Sequence, residues 1–168
     1  MTTQEWFSEF SSEQEPLAVG GFAVIYPLSK TRVAKIPREA MIYGTKFYNI
    51  DGLDLNAECS MHNSLYEAGF QVPKPEGIFD VHLEGRIERA HGHSKIVKGF
   101  VSQRIYGATD FNKLPEHLRS VAEQQFVEQL KRAAREGFVP NFDAMKNTIF
   151  DDKEKKLYLI DFHLWERK

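Results

Sequence analysis

The chain has 168 residues, 42% of them hydrophobic and 27% charged, with a net charge of -2. That length gives one domain, or two small lobes, with a core that needs no staple; the charge argues against a nucleic-acid partner. A single cysteine, Cys59, excludes an internal disulfide and suits a reducing, cytoplasmic compartment, and no apolar run approaches the roughly 18 residues of a membrane span.

The opening MTTQEWFSEF is acidic and lacks the charged-then-apolar order of a secretory signal. It predicts a short helix capped by Thr2 or Thr3, with Glu5 in the first turn and Trp6, Phe7 and Phe10 on one stripe. Residues 11–16 follow as a polar linker. Leu17 to Tyr26 then reads as strand, two-glycine turn and strand. Gly20 and Gly21 would let the backbone approach a ligand and point amide N–H groups at phosphate oxygens. Taken alone, Gly-Gly is more often an ordinary hairpin turn.

Arg32 to Pro37 is a further strand, and Lys35 stands in its otherwise apolar run. A lysine there needs a partner for its ammonium, or it snorkels to the surface. The candidate partner is Glu58, on a predicted helix from Leu55 to Tyr66 that ends before Gly69. Residues 38–54 form a connector with no clear pattern. Val72-Pro73-Lys74-Pro75 is extended because residues before proline leave the helical region. Ile78–Leu83 and Ile96–Ile105 read as strands around a polar loop, which gives five strands and one helix between residues 17 and 105. His82, His91 and His93 lack cysteine or carboxylate at ligand spacing and read as solvated histidines, with no metal.

From Glu116 to Glu136, Leu118, Val121, Ala122, Phe126, Val127, Leu130, Ala133 and Ala134 recur at helical spacing, and Gly137 ends the run. This face reads as core, with no site on it. Asn141 to His163 follows: a loop with Asp143 and Asn147, the apolar pair Ile149-Phe150, a charged segment from Asp151 to Lys156, and the run Leu157 to Ile160 delivering Asp161. Apolar, charged, apolar predicts a β-hairpin. Its outer ends bring Asn147 and Asp161 toward one volume, with Asp143 nearby. Converging side-chain oxygens suit Mg²⁺ and phosphate transfer, although a surface hairpin with acidic ends has the same pattern.

In this order the motifs resemble the protein-kinase-like superfamily, in its small atypical branches such as the RIO-like and aminoglycoside-phosphotransferase-like kinases. The resemblance covers about residues 17–163. Leu17 to Tyr26 is similar to the family's glycine loop, L-G-x-G-x-F-G-x-V-Y, with Gly20, Phe22 and Tyr26 matching and Ala18 and Ala23 at usual glycine positions. Lys35 resembles the strand lysine that holds the α- and β-phosphates, and Glu58 its helix partner. Phe100 to Gly107 resembles the strand and hinge against which adenine lies, with backbone contacts from Gln103, Arg104 and Ile105. Asn141 to Asn147 resembles the H-x-D-x-x-x-x-N loop, and Ile160-Asp161-Phe162-His163 the metal-binding D-F-G.

The departures are specific. Three residues separate Asp143 from Asn147 where the family has four, so counting back from Asn147 puts Phe142 at the position of the base. Asn141 stands two residues before Asp143, where the family has histidine, and His163 replaces the glycine. The chain stops at Lys168, so it reads as truncated after the D-F-G-like motif.

The resemblance implies an α+β, minimal two-lobed protein-kinase-like fold. An N-terminal antiparallel sheet with one helix (17–105) would precede a reduced helical C-terminal lobe (106–168), all in a single domain. It implies an ATP- and Mg²⁺-dependent kinase passing the γ-phosphate to a hydroxyl of a protein or small molecule. Gly20, Gly21, Phe22, Lys35, Glu58, Gln103, Arg104 and Ile105 would bind the nucleotide, Asn147 and Asp161 the metal, and Asp143 and Lys35 would serve catalysis. The alternative is a pseudokinase acting as a nucleotide- or protein-binding module. A homodimer or a completing protein partner stays open, and neither nucleic acid nor membrane is expected.

Overall fold

The structure is a computed structural model that describes residues 15–37, 40–42, 45–47, 53–82, 96–141 and 143–168, without the side chains of 40–42, 45–47, 82, 96 and 97. The expected N-terminal helix, the His91–His93 loop, the His82 side chain and Phe142 lie outside the described residues. The chain divides into two compact units. One comprises Met1–Cys59 and Glu76–Arg104, the other Ser60–Pro75 and Ile105–Lys168.

The first unit is built on strands β1 (Ala18–Val19), β2 (Ala23–Pro27), β3 (Arg32–Pro37), β6 (Pro75–His82) and β7 (Ile96–Gln103), in the order β1-β2-β3-β7-β6. The pairings β1–β2, β2–β3 and β3–β7 are antiparallel. Side chains alternate between faces along a strand. One face gathers Val24, Tyr26, Ala34, Ile36 and Val101 with Leu28 and Val81. Register sets Ile25, Lys35 and Phe100 abreast on the other. There Ala23 and Phe100 pack with Leu53 and Leu55, beside Cys59 and Ile78. Lys35 thus lies on the face that the start of the first helix covers.

The connector that carried no clear pattern holds a short antiparallel hairpin, β4 (Ala40–Ile42) with β5 (Thr45–Phe47). Strand β7 stops at Gln103, two residues earlier than its apolar run suggests, with one in-register bond beyond it, the Arg104 N–H to the Thr31 carbonyl at 2.8 Å.

Helix α1 spans Leu55–Glu67, and the division between the units falls within it. Asp54 starts it: its Oδ1 accepts from the N–H groups of Asn56 (2.9 Å) and Ala57 (3.1 Å), satisfying donors that have no partner inside the helix. Gly69 closes it at φ +78°, and the Phe70 N–H returns to the Leu65 carbonyl.

The second unit centres on helix α2, Glu116–Arg135. Leu118, Ala122, Phe126 and Ala133 form its buried stripe and share a core with Phe70, Phe138, Phe150, Leu157, Phe162 and Trp165. Val121, Val127 and Ala134, which also fit the apolar spacing, face outward. One helix face against one core buries only a stripe about 100° wide. Gly137, at φ +79°, ends the helix. Strand β8 (Phe138–Val139) pairs with β11 (Glu166–Arg167). The expected hairpin is present as β9 (Thr148–Asp151) and β10 (Lys156–Leu159), antiparallel from Lys156↔Asp151 to Leu159↔Thr148. Its turn is an Asx motif, with Asp151 Oδ1 accepting from Lys153 and Glu154. No helix among the described residues is long and apolar enough to cross a membrane.

Candidate active site

In the first unit the central contact is Lys35 Nζ to Glu58 Oε1 at 2.6 Å. Lys35 projects from the middle of β3, and Glu58 sits in the first turn of α1, where the helix dipole favours a carboxylate. The Glu58 side chain is 2% exposed and that of Lys35 14%. Charges held this far from water are stable only when paired.

The glycine turn lies between β1 and β2, closed by the Gly20 N–H to the Ala23 carbonyl at 2.8 Å. Neither glycine has positive φ. A Cβ at Gly21 would meet nothing within 4 Å, and one at Gly20 would make only ordinary contact with Ala23 O at 3.4 Å. Phe22 is 41% exposed. The turn itself therefore does not require glycine at either place.

At the far end of β7, Gln103 is exposed, and the Arg104 N–H is held by Thr31 while its guanidinium reaches the Ser29 carbonyl at 3.4 Å. Of the three residues expected to contact adenine, Arg104 thus has its backbone donor already engaged. Ile105 opens the long C-terminal segment of the second unit.

In the second unit, Asp143 precedes a short 3₁₀ turn, Ala144–Lys146, that delivers Asn147 to the start of β9. The three residues of this turn are the three that separate Asp143 from Asn147. Asp143 is 42% exposed and pairs with Lys146 Nζ at 3.2 Å. The Asn147 carbonyl accepts from the Ile160 N–H at 2.9 Å, so Asp161 follows directly on the residue bonded to Asn147. The hairpin thereby joins the two backbones that carry the candidate metal ligands.

Asp161 adopts φ +65°, unusual for a residue with a Cβ. Its Oδ1 lies 2.8 Å from His163 Nδ1. Sequence reasoning treated His163 only as a replaced glycine. The signal it passed over was the aspartate–x–histidine spacing directly after a predicted strand. An amide oxygen and a carboxylate, both hard donors, are the set Mg²⁺ takes alongside waters and phosphates; Asn147 and Asp161 fit that ion in chemistry.

No family model matches the chain, and no curated protein matches it in sequence. Solved structures do match in fold. A Stt7 homologue from Micromonas algae, soaked with ATP, superposes with a TM-score of 0.60 at 14% identity, covering 90% of this chain and 48% of that one. The Rio2 kinase from Chaetomium thermophilum, in its ADP/Mg²⁺-phosphoaspartate complex, gives 0.58 at 18% identity, with 94% and 48% covered. The Cydia pomonella granulovirus kinase PK-1 gives 0.51 at 13% identity, with 93% and 55% covered. The fold is α+β and protein-kinase-like, and the chain spans about half the length of these kinases.

Proposed function

We propose that this chain is an ATP- and Mg²⁺-dependent phosphotransferase that passes a γ-phosphate to a hydroxyl of a protein or small molecule. The observation that carries the reading is the 2.6 Å pair between Lys35 and Glu58. A lysine placed in the centre of a sheet and held by a largely buried helix carboxylate has its ammonium fixed for an anionic ligand. In a fold shared with kinases that were crystallised with ATP or ADP/Mg²⁺, that ligand is a nucleotide phosphate.

Each residue then has a defined task. Lys35, oriented by Glu58, binds the α- and β-phosphates. The backbone around Gly20, Gly21 and Phe22 lies along the phosphates; the Gly20 N–H closes the turn onto Ala23, and the lack of a Cβ at Gly20 and Gly21 permits the approach. Backbone groups of Gln103 and Ile105 hold adenine, with the Arg104 carbonyl as the remaining group of that residue. Asn147 and Asp161 would hold Mg²⁺, which when bound neutralises the charge that develops between the β- and γ-phosphates. Asp143 orients the acceptor hydroxyl and takes its proton. Most of the acceleration in such a reaction comes from positioning and charge stabilisation; loss of the base costs about 10²- to 10⁴-fold.

One observation favours a second reading, a nucleotide- or protein-binding module without transfer. Asp143 is paired with Lys146 in a turn one residue shorter than the kinase pattern. Thermal unfolding with ATP separates the readings, because a ligand that binds only the folded state raises its stability. A phosphotransferase is stabilised by ATP in a Mg²⁺-dependent way and forms ADP. A binding module is stabilised without forming ADP, and the absence of any shift rejects nucleotide binding altogether.

A further inference from the structure

Asp161 to Trp165 form a local device around His163, which stands where the kinase pattern has glycine. The Trp165 N–H donates to the Phe162 carbonyl at 3.0 Å, closing a four-residue turn with His163 and Leu164 at its centre. Phe162, 1% exposed, anchors the turn edge-on against His62 (4.9 Å) and Trp165 (5.3 Å). Residues at the centre of a surface turn face solvent, as Leu164 does at 52%. The His163 side chain does not: it is 12% exposed and folds back to place Nδ1 2.8 Å from Asp161 Oδ1. A carboxylate can only accept, so Nδ1 carries the hydrogen in this contact. Asp161 meets it from φ +65°, a conformation in which a non-glycine residue needs outside support.

We propose that His163 is a positioning residue for Asp161. Its Nδ1–H holds Oδ1 and fixes the carboxylate plane, so that the remaining lone pairs are oriented for a divalent cation. The proposal rests on the reading of Asp161 as a metal ligand. Hydrogen-bond partners of metal-ligating side chains typically change metal affinity by about 10- to 100-fold when removed.

The test uses the full chain and calorimetric titration with ADP, once with EDTA and once with Mn²⁺. The ratio of the two affinities reports the metal's contacts with the protein. H163F keeps a ring in the turn and removes the hydrogen; H163N keeps an N–H near the position of Nδ1 and removes the ring. The proposal predicts that H163F binds ADP normally in EDTA and loses about 10- to 100-fold of the Mn²⁺-dependent gain, while H163N retains it. A parental ratio in H163F overturns the proposal. So does a loss in H163N as large as in H163F, or an equal fall with and without metal, since each marks a packing role. D161A separates the two levels. If D161A loses the gain and H163F keeps it, only the role of His163 fails. If D161A keeps it, or the unaltered chain binds no ADP, the metal-ligand reading fails and the proposal with it.

Discussion

Lys35 and Glu58 meet at 2.6 Å across 23 residues of sequence, the ammonium from a sheet and the carboxylate from the first turn of a helix. Removing one partner of such a buried pair is strongly destabilising. Lys35→Ala should lower the free energy of unfolding by about 3 kcal/mol, measured from urea denaturation. A loss below about 0.5 kcal/mol would mean the pair behaves as an exposed ion pair.

Two glutamines of α2 close the open edge of the hairpin. The Gln125 side chain donates to the Lys155 carbonyl at 2.7 Å and accepts from the Leu157 N–H at 2.8 Å. One helical turn later, Gln129 donates to the Leu157 carbonyl at 3.0 Å and accepts from the Gln71 N–H at 3.1 Å. The two amides take the place of a neighbouring strand along β10, an edge that would otherwise present unpaired backbone groups. Gln129→Leu should cost about 1–3 kcal/mol of stability, because backbone groups lose their partners. An unchanged denaturation midpoint would show that water replaces the amide without loss.

Gly107 approaches β9 more closely than any side chain allows. A Cβ there would lie 2.1 Å from the Phe150 carbonyl oxygen. Its neighbour Ala108 bridges Phe150 in both directions, at 2.9 and 2.8 Å. Gly107→Ala must push the two backbones apart and should destabilise by about 3 kcal/mol or more. Gly21→Ala, with open space around its Cβ, should leave stability within about 0.5 kcal/mol in the same assay.

Burial pushes the Tyr26 hydroxyl up to about 12, with Glu15 adding to the effect. The unfolded chain ionises this group near the ordinary value of about 10. Its contribution to stability is therefore complete below about pH 10 and is lost as pH rises toward about 12. Urea midpoints measured at about pH 9 and about pH 11 should fall more in the parent than in Tyr26→Phe. Equal falls would contradict a buried, neutral phenol.

The hairpin and the long helix were legible in the sequence because their signals are local: a charged run between two apolar ones, and apolar residues at helical spacing. The order of β2, β3, α1 and β7 followed from the same patterns. What escaped was set by tertiary contact. Val121 and Val127 fit the apolar spacing yet face outward, since only the packing partner decides which part of a stripe is buried. Gln125 and Gln129 fall outside the apolar spacing, and their bonds to β10 depend on where the hairpin docks. His163 looked like a lost glycine, because the left-handed turn of Asp161 that brings the two together carries no signature at a residue with a Cβ.

The most direct test is ADP formation from ATP by the purified chain, with Mg²⁺ and with EDTA, compared between the parent and Asp161→Ala. Mg²⁺-dependent ADP formation by the parent, abolished in Asp161→Ala and by EDTA, is the predicted result. Equal ADP formation by the two proteins, or none by the parent under any condition, would contradict assignment as a metal-dependent phosphotransferase.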